Sequence, residues 1–297
     1  MPQVALWLVP RRQYDTGSMA RPRPSIADKR RTFAGLHAQG CFAIPNPWDL
    51  GSACYLQSLG YKAIASTSSG FAWSNARPDN GVSREQVLAH LAALVAATDI
   101  PVNADFEAGF AHEPAGVAES VRLAVATGVA GLSIEDSTGD AARPLYELPL
   151  AIERIRAARR AIDQSGGDTL LVGRAECYLV GRADLTETVA RLRAYAEAGA
   201  DCLYAPGVRN REDIAAVVAA VAPKPVNVLA GSAGGLTMAD FATLGVRRVS
   251  VGGALARAAW GGFMRAARML AEQGRFDEFA QAASGNELNA LFAKRGA

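Results

Sequence analysis

A closed barrel of eight parallel strands, each followed by a helix, is the fold this sequence predicts, and three observations predict it. From residue 41 onward, eight short apolar runs alternate with Ala/Leu-rich stretches of helical spacing. Runs this short and continuously apolar suit strands buried on both faces. Three of the joints read alike, as ATGVAGLSIED, EAGADCLYAPG and TLGVRRVSVGG, each a helix end, a glycine and then a strand. Eight such units favour closure into a (β/α)8 TIM-type barrel over a doubly wound open sheet.

The strands are expected within residues 41–46, 62–66, 101–105, 131–136, 169–176, 202–207, 225–230 and 248–253. Between them, residues 83–97 place Val87, Leu88, Leu91, Leu94 and Val95 at helical spacing, and residues 185–198 do the same with Val189, Leu192 and Tyr195. Ser83 with Gln86 three residues on forms a capping-box pattern. Pro114 suits the first turn of a helix. Gly60, Gly128, Gly199 and Gly245 stand just past helical runs, where a chain-reversing glycine belongs. A helix is expected over 255–273, and a last helical segment over 275–295 has no strand before it. It packs beneath the barrel or on a partner subunit.

Residues 25–297 thus read as one barrel domain with extra C-terminal helices. Residues 1–24 begin apolar and then turn basic, the reverse of a secretory signal, and continue rich in Arg, Pro and Gly. They read as a disordered extension, with Met19 as a candidate start. Half of the 297 residues are hydrophobic, which excludes intrinsic disorder. A net charge of +2, from 31 basic and 29 acidic residues, argues against nucleic acid as a partner. No apolar run reaches the roughly 18–20 residues of a membrane span. The four cysteines include no CxxC pair, which fits reduced thiols in the cytoplasm. The three histidines form no HxxxH or HExxH pattern, so a zinc site is not expected.

In such barrels the active site lies at the C-terminal ends of the strands. The polar residues found there are Asn46, the Ser66-Thr67-Ser68-Ser69-Gly70 segment, Asn103, Asp105 and Glu107, Glu135 and Asp136, Arg174 and Glu176, Tyr204, and Asn227. Period-two alternation puts Asn103, Asp105 and, if the strand continues, Glu107 on one face. Asp105 and Glu135 come from adjacent strand ends and can converge. Carboxylates crowded together repel unless a cation intervenes. Oxygen donors without Cys or His select a hard ion, Mg²⁺ or Mn²⁺. The alternative is that Asp105 and Asp136 cap helices or hold loops. Arg174, late in an apolar strand, needs a partner. It is either an internal brace with Glu176 or a clamp for a substrate carboxylate, which Arg holds bidentately. The hydroxyls and N–H groups of Ser66–Gly70 can bind an oxyanion, although such residues also make ordinary turns.

Together these residues resemble the isocitrate lyase/phosphoenolpyruvate mutase superfamily over about residues 30–273. The landmarks are NPWD at 46–49, the loop STSSGFAWSNARPDNGVS from Ser66, VNADFEAGF at 102–110, GVAGLSIED at 128–136, GRAE at 173–176, YAEAGADCLY at 195–204 and VNVLAG at 226–231. The resemblance implies a Mg²⁺-dependent lyase that cleaves a C–C bond in a small 2-keto or 2-hydroxy (di)carboxylate through an enolate-like intermediate. It places the metal-associated residues at Asn103, Asp105 and Glu135, with Glu107 as a candidate for the charge that Asn103 lacks in a motif usually read DxD. It places the oxyanion loop at Ser66, Thr67, Ser68 and Ser69, the catalytic aspartate at Asp79 and the substrate-binding arginine at Arg174. Glu176 joins the catalytic set as the partner of Arg174, and Asn227 the substrate-binding set.

One departure is large. The KKCGH-type loop of the isocitrate and methylisocitrate lyases is replaced by residues 137–146, STGDAARPLY, without Cys, His or Lys. Those two activities are disfavoured, as is phosphoenolpyruvate mutase, whose Lys/Asn-bearing gating loop is missing. Two other readings stand beside the lyase: a non-catalytic or weakly active barrel that binds an α-keto acid, and a ketopantoate hydroxymethyltransferase-like aldol enzyme using a folate donor. The resemblance also implies a homodimer or homotetramer joined through the C-terminal helices, where Trp260, Phe263, Met264, Met269 and Leu270 supply apolar surface.

Overall fold

The computed structural model describes residues 23–293. The expectations for residues 1–22 and for residues 294–297 lie outside the described residues.

Helix α1 (Ile26–Ala38) starts at a capping box in which Ser25 and Asp28 satisfy each other's backbone N–H groups. The repeating units follow: β1 (Phe42–Ile44) with α2 (Leu50–Ser58), then β2 (Ile64–Ala65) with the short α3 (Ser68–Ser74) and α4 (Arg84–Ala97). Next come β3 (Val102–Asp105) with α5 (Pro114–Ala126), β4 (Gly131–Glu135) with α6 (Leu148–Gln164), and β5 (Leu170–Arg174) with α7 (Leu185–Glu197). The last are β6 (Cys202–Tyr204) with α8 (Arg211–Val221), β7 (Val226–Leu229) with α9 (Met238–Thr243), and β8 (Arg248–Ser250) with α10 (Ala254–Gln273). A 3-10 turn (Asp277–Gln281) and α11 (Gly285–Ala293) end the described chain.

All eight strands are parallel, in the order β1-β8-β7-β6-β5-β4-β3-β2. Between β1 and β2 the ring is joined by single bonds: the Ala65 N–H donates to the Pro45 carbonyl at 3.1 Å, and Asn46 Nδ2 donates to the Ser66 carbonyl at 2.8 Å. This is the expected (β/α)8 barrel. Ser83 and Gln86 form their capping box, and Pro114 sits in the first turn of α5. Gly60, Gly128, Gly199 and Gly245 all take left-handed backbone just beyond a helix.

The main core lies between strands and helices, where the outward residues Leu132, Ile134, Leu171 and Leu203 meet Leu91, Val121, Ile155 and Leu192. The barrel interior is divided. Its lower end is plugged by Phe33 of α1, packed on Ile44, Ala63, Ala65 and Ala130. Only glycine fits at Gly131, because a Cβ there would stand 2.7 Å from the Phe33 ring and 2.8 Å from Asn103 Oδ1. Above the plug, Val172, Cys202, Tyr204 and Leu229 line one wall. The rest of the interior is polar, which sets up the site.

The Ser66–Gly70 segment is not a plain loop. Thr67 Oγ1 accepts the Gly70 N–H at 3.3 Å and starts α3. The C-terminal helices are apolar but outward facing. Ala256 is the buried residue of α10, while Trp260, Phe263, Met264 and Leu270 are exposed, as are Phe276, Phe279, Leu288 and Phe292 beyond it.

Candidate active site

The strand ends open into a cavity of about 180 Å³, walled by Ser66 to Ser69, Asp79, Asp105, Arg174 and Tyr204, and floored by Asn103, Asn227, Arg248 and Ser250. Pockets for drug-sized ligands run to several hundred Å³, so this one suits a molecule of a few heavy atoms.

Arg174, at the end of β5, is the hub of the upper wall. Its Nη1 donates to Asp105 Oδ1 at 2.9 Å and lies 3.1 Å from Glu135 Oε2. Its Nε donates to Glu176 Oε1. Strand register explains the convergence: Glu135 pairs with Arg174 across β4 and β5, and Asp105 pairs with Ser133 across β3 and β4. Burial alone would lower the Arg174 pKa, but the charges of Glu135, Glu176 and Asp105 outweigh it and hold the guanidinium protonated. The cation between the carboxylates in this structure is Arg174 itself, the arrangement expected of an internal brace, and its place on the cavity wall keeps it within reach of a ligand.

The carboxyls outnumber that cation. Glu135 is driven well above the ordinary carboxyl range, first by burial, with Glu176 and Asp105 adding to it against the pull of Arg174. Glu176 is raised mainly by burial. Asp79, on the exposed rim of the cavity, is raised by loss of water around its carboxyl and by Asp105. Glu107 is pushed up to about 8, first by burial and then by Asp105 and Asp79. Its Oε1 is buried with no hydrogen-bond partner. It does not reach the cluster by strand alternation, because β3 ends at Asp105 and Glu107 itself takes a left-handed φ of 49°. A turn, not the pleat, aims it.

The hydroxyl segment braces the same cluster. Ser68 N–H and Oγ both donate to Asp105 Oδ2, at 2.9 and 3.0 Å, and Ser66 Oγ accepts the Asp105 N–H at 2.9 Å. Thr67 Oγ1 lies 3.2 Å from Ser69 Oγ. Asp136 faces away from the cavity. It accepts the Tyr195 hydroxyl at 2.6 Å, Arg191 Nη1 at 3.2 Å and the Glu176 N–H at 2.8 Å, so it holds structure, as one of its two expected roles allowed.

Asn103 and Asn227 lie deeper than the carboxylates. Asn227 Oδ1 accepts Arg248 Nε at 2.9 Å and its Nδ2 donates to Ser250 Oγ at 3.0 Å. Asn103 Oδ1 accepts Arg248 Nη1 at 3.2 Å. Arg248 begins its strand, so the polar residues at the strand ends do not include it. Period-two reading of Arg248, Ser250 and Gly252 as one inward face is the signal that finds it.

Among the described residues, no three His, Cys, Asp or Glu side chains are arranged to hold a metal ion directly. The expected carboxylate cage is thus not preassembled. The residues nevertheless fit a hard divalent cation. Five carboxyls, of Asp79, Asp105, Glu107, Glu135 and Glu176, gather about one guanidinium, and Glu107 Oε1 is buried and unpartnered. Magnesium keeps several waters and takes only one or two carboxylates directly, so it needs no ready-made cage.

The fold, with its polar cluster at the strand ends, is that of a barrel family of carbon–carbon lyases and mutases. The chain belongs to the phosphoenolpyruvate phosphomutase family, whose model matches residues 33–271, and with it to the isocitrate lyase/phosphoenolpyruvate mutase superfamily of lyases and mutases. It is similar to a solved protein of Burkholderia cenocepacia J2315, provisionally assigned as a lyase/mutase, with 48% identity, 90% of this chain and 97% of that one covered, and a TM-score of 0.88. It is 30% identical to the 2-methylisocitrate lyase of Escherichia coli (strain K12) over 58% of this chain and 59% of that protein. Phosphonopyruvate hydrolase, solved with oxalate and Mg²⁺, is 25% identical, with 90% of this chain and 96% of that one covered and a TM-score of 0.80.

Proposed function

We propose that the protein is a Mg²⁺-dependent carbon–carbon lyase acting on a small 2-keto or 2-hydroxy carboxylate through an enolate. The observation that carries this reading is the excess of carboxyls around Arg174 at the mouth of a cavity sized for a few heavy atoms. Asp105, Glu107 and Glu135 would hold the ion, and Mn²⁺ would serve the same donors. When bound, the ion supplies Lewis-acid stabilisation of negative charge growing on the substrate oxygen.

The chain's own residues do the rest. Arg174 keeps Asp105, Glu135 and Glu176 together against their repulsion. Ser68 fixes the Asp105 carboxylate, and Ser66 fixes its backbone, so the carboxylate is oriented before substrate arrives. Thr67 and Ser69 bring hydroxyls to the wall where an oxyanion can accept them. Asp79, whose pKa is raised by burial and by Asp105 at the rim, is placed to exchange a proton with the departing portion. No residue of the 137–146 loop offers the thiol acid of the methylisocitrate lyases, so the substrate is a different small keto or hydroxy acid.

The test is a proton NMR time course with oxaloacetate, 2-methylisocitrate and phosphonopyruvate, with Mg²⁺ and with EDTA. Cation-dependent loss of a keto acid is expected, and Asp105→Ala should slow it at least about 100-fold. Turnover that survives both EDTA and Asp105→Ala would contradict the reading.

The exposed apolar side chains of α10, with Phe276 and Phe279 beyond it, support self-association. Sedimentation at micromolar concentration should give a dimer or tetramer, and a monomer would contradict it. The four cysteines are free, which fits a reducing compartment such as the cytoplasm.

A further inference from the structure

The lower half of the cavity holds a second guanidinium whose surroundings differ from those of Arg174. Arg248 is 3% exposed and lines the cavity floor. Among the described residues it has no carboxylate partner. Its hydrogen bonds go to neutral acceptors, Asn227 Oδ1 at 2.9 Å and Asn103 Oδ1 at 3.2 Å, with His37 Nε2 at 3.5 Å. His37 is itself neutral: its Nδ1 lies 2.8 Å from the Phe33 carbonyl, and burial with the Arg248 charge depresses its pKa to about 3. Nearby Cys202 and Tyr204 supply no anion either. Burial pushes the Cys202 thiol up and pushes Tyr204 up to about 12, so both remain protonated.

A buried guanidinium without a counter-ion is costly, and a structure keeps one where something compensates it. Here three neutral groups fix its orientation and none cancels its charge. Arg174 is the reverse, compensated more than once over by Asp105, Glu135 and Glu176. The uncancelled positive charge of the cavity therefore sits at the floor, about one layer of side chains below the carboxylate-rich mouth. Arg248 pairs in register with Asn227 and is followed on the same face by Ser250, which bonds Asn227 in turn.

We propose that Arg248 binds a carboxylate of the substrate at the cavity floor, held in place by Asn103 and Asn227, so that the enzyme acts on a small diacid with its second carboxylate buried away from the reacting end. This rests on the reading of the cavity as a keto- or hydroxy-acid site and narrows it to dianions. Arg248 then serves as the specificity residue for the second carboxylate.

The probes are malonate and its monoamide, malonamate, which match in size and differ by one charge. Binding to the full chain is measured by calorimetry with and without Mg²⁺, for wild type, Arg248→Gln and Arg248→Lys. Wild type should prefer malonate by about 30-fold or more, as expected for a desolvated charge pair. Arg248→Gln should bring the two ligands within about 3-fold of each other, and Arg248→Lys should retain part of the preference. A structural role alone would weaken both ligands equally, and that result, or an unchanged preference in Arg248→Gln, overturns the proposal while leaving the cavity assignment intact. Binding of neither ligand to wild type under either condition removes the cavity assignment and the proposal together. If the variants fail to fold, the crystal structure of wild type with malonate decides: a carboxylate on Arg248 supports the proposal, and malonate bound without touching Arg248 overturns it.

Discussion

Arg174→Met is expected to lower stability by about 3–5 kcal/mol, the cost of removing one partner from a buried ion cluster. For a chain of this size that corresponds to a fall in melting temperature on the order of 10 °C. Among the described residues the guanidinium alone touches Asp105, Glu135 and Glu176 at once, and its loss leaves three largely buried carboxylates facing one another. The deficit should shrink as the pH is lowered, because the raised pKa values of Glu135 and Glu176 let them accept protons in place of the lost cation. Arg174→Lys should recover part of the loss only, since an ammonium cannot span three carboxylates as the planar fork does. Turnover should be lost in the Met variant even where it remains folded. Thermal melts from pH 5 to 9 check this, and a variant as stable as wild type at pH 8 would refute the role given to Arg174.

Glu107 gives the second large effect. Its pKa of about 8 in the folded chain lies well above the ordinary value near 4.5 that it regains on unfolding. Between those values the folded state holds a proton that the unfolded state has released. The group's contribution is therefore fully present below pH 4.5 and is lost as pH rises through about 8, a change on the order of a few kcal/mol. In EDTA, wild type should lose stability across this window, and Glu107→Gln should lose distinctly less. Mg²⁺ favours the ionised carboxylate, so its stabilising effect on wild type should grow with pH over the same range and should be smaller in the Gln variant. Identical pH profiles for the two proteins would contradict the placement of Glu107 against the Asp105 cluster.

The barrel was legible because its signals are local. Capping at Ser83, Pro114 in a first turn and glycines after helices are each written in a few residues, and the eight apolar runs contain all eight strands. The upper site was legible at the level of residue identity, since Asp105, Glu135 and Arg174 stand at adjacent strand ends whose register brings them together. What they do there was less so. Whether Arg174 is a brace or a clamp depends on which carboxylates reach it, and that is set by register and by the turn at Glu107, where alternation fails. Asn103 and Asn227 read as site residues, but their partner lay at a strand's beginning, and the inward reach of Arg248 depends on the small residue opposite, Gly131, leaving room for Asn103. Long polar side chains crossing a barrel are tertiary facts that spacing along the chain does not encode.

On the proposed function, the carboxylate-rich mouth receives a divalent cation together with a small acid. Anomalous diffraction from crystals grown with Mn²⁺ and oxalate tests it most directly. An anomalous peak is expected inside the cavity with oxygen atoms of Asp105 and of oxalate around it, absent in Asp105→Ala crystals. A cavity holding oxalate with no manganese, or manganese bound elsewhere on the molecule, would contradict it.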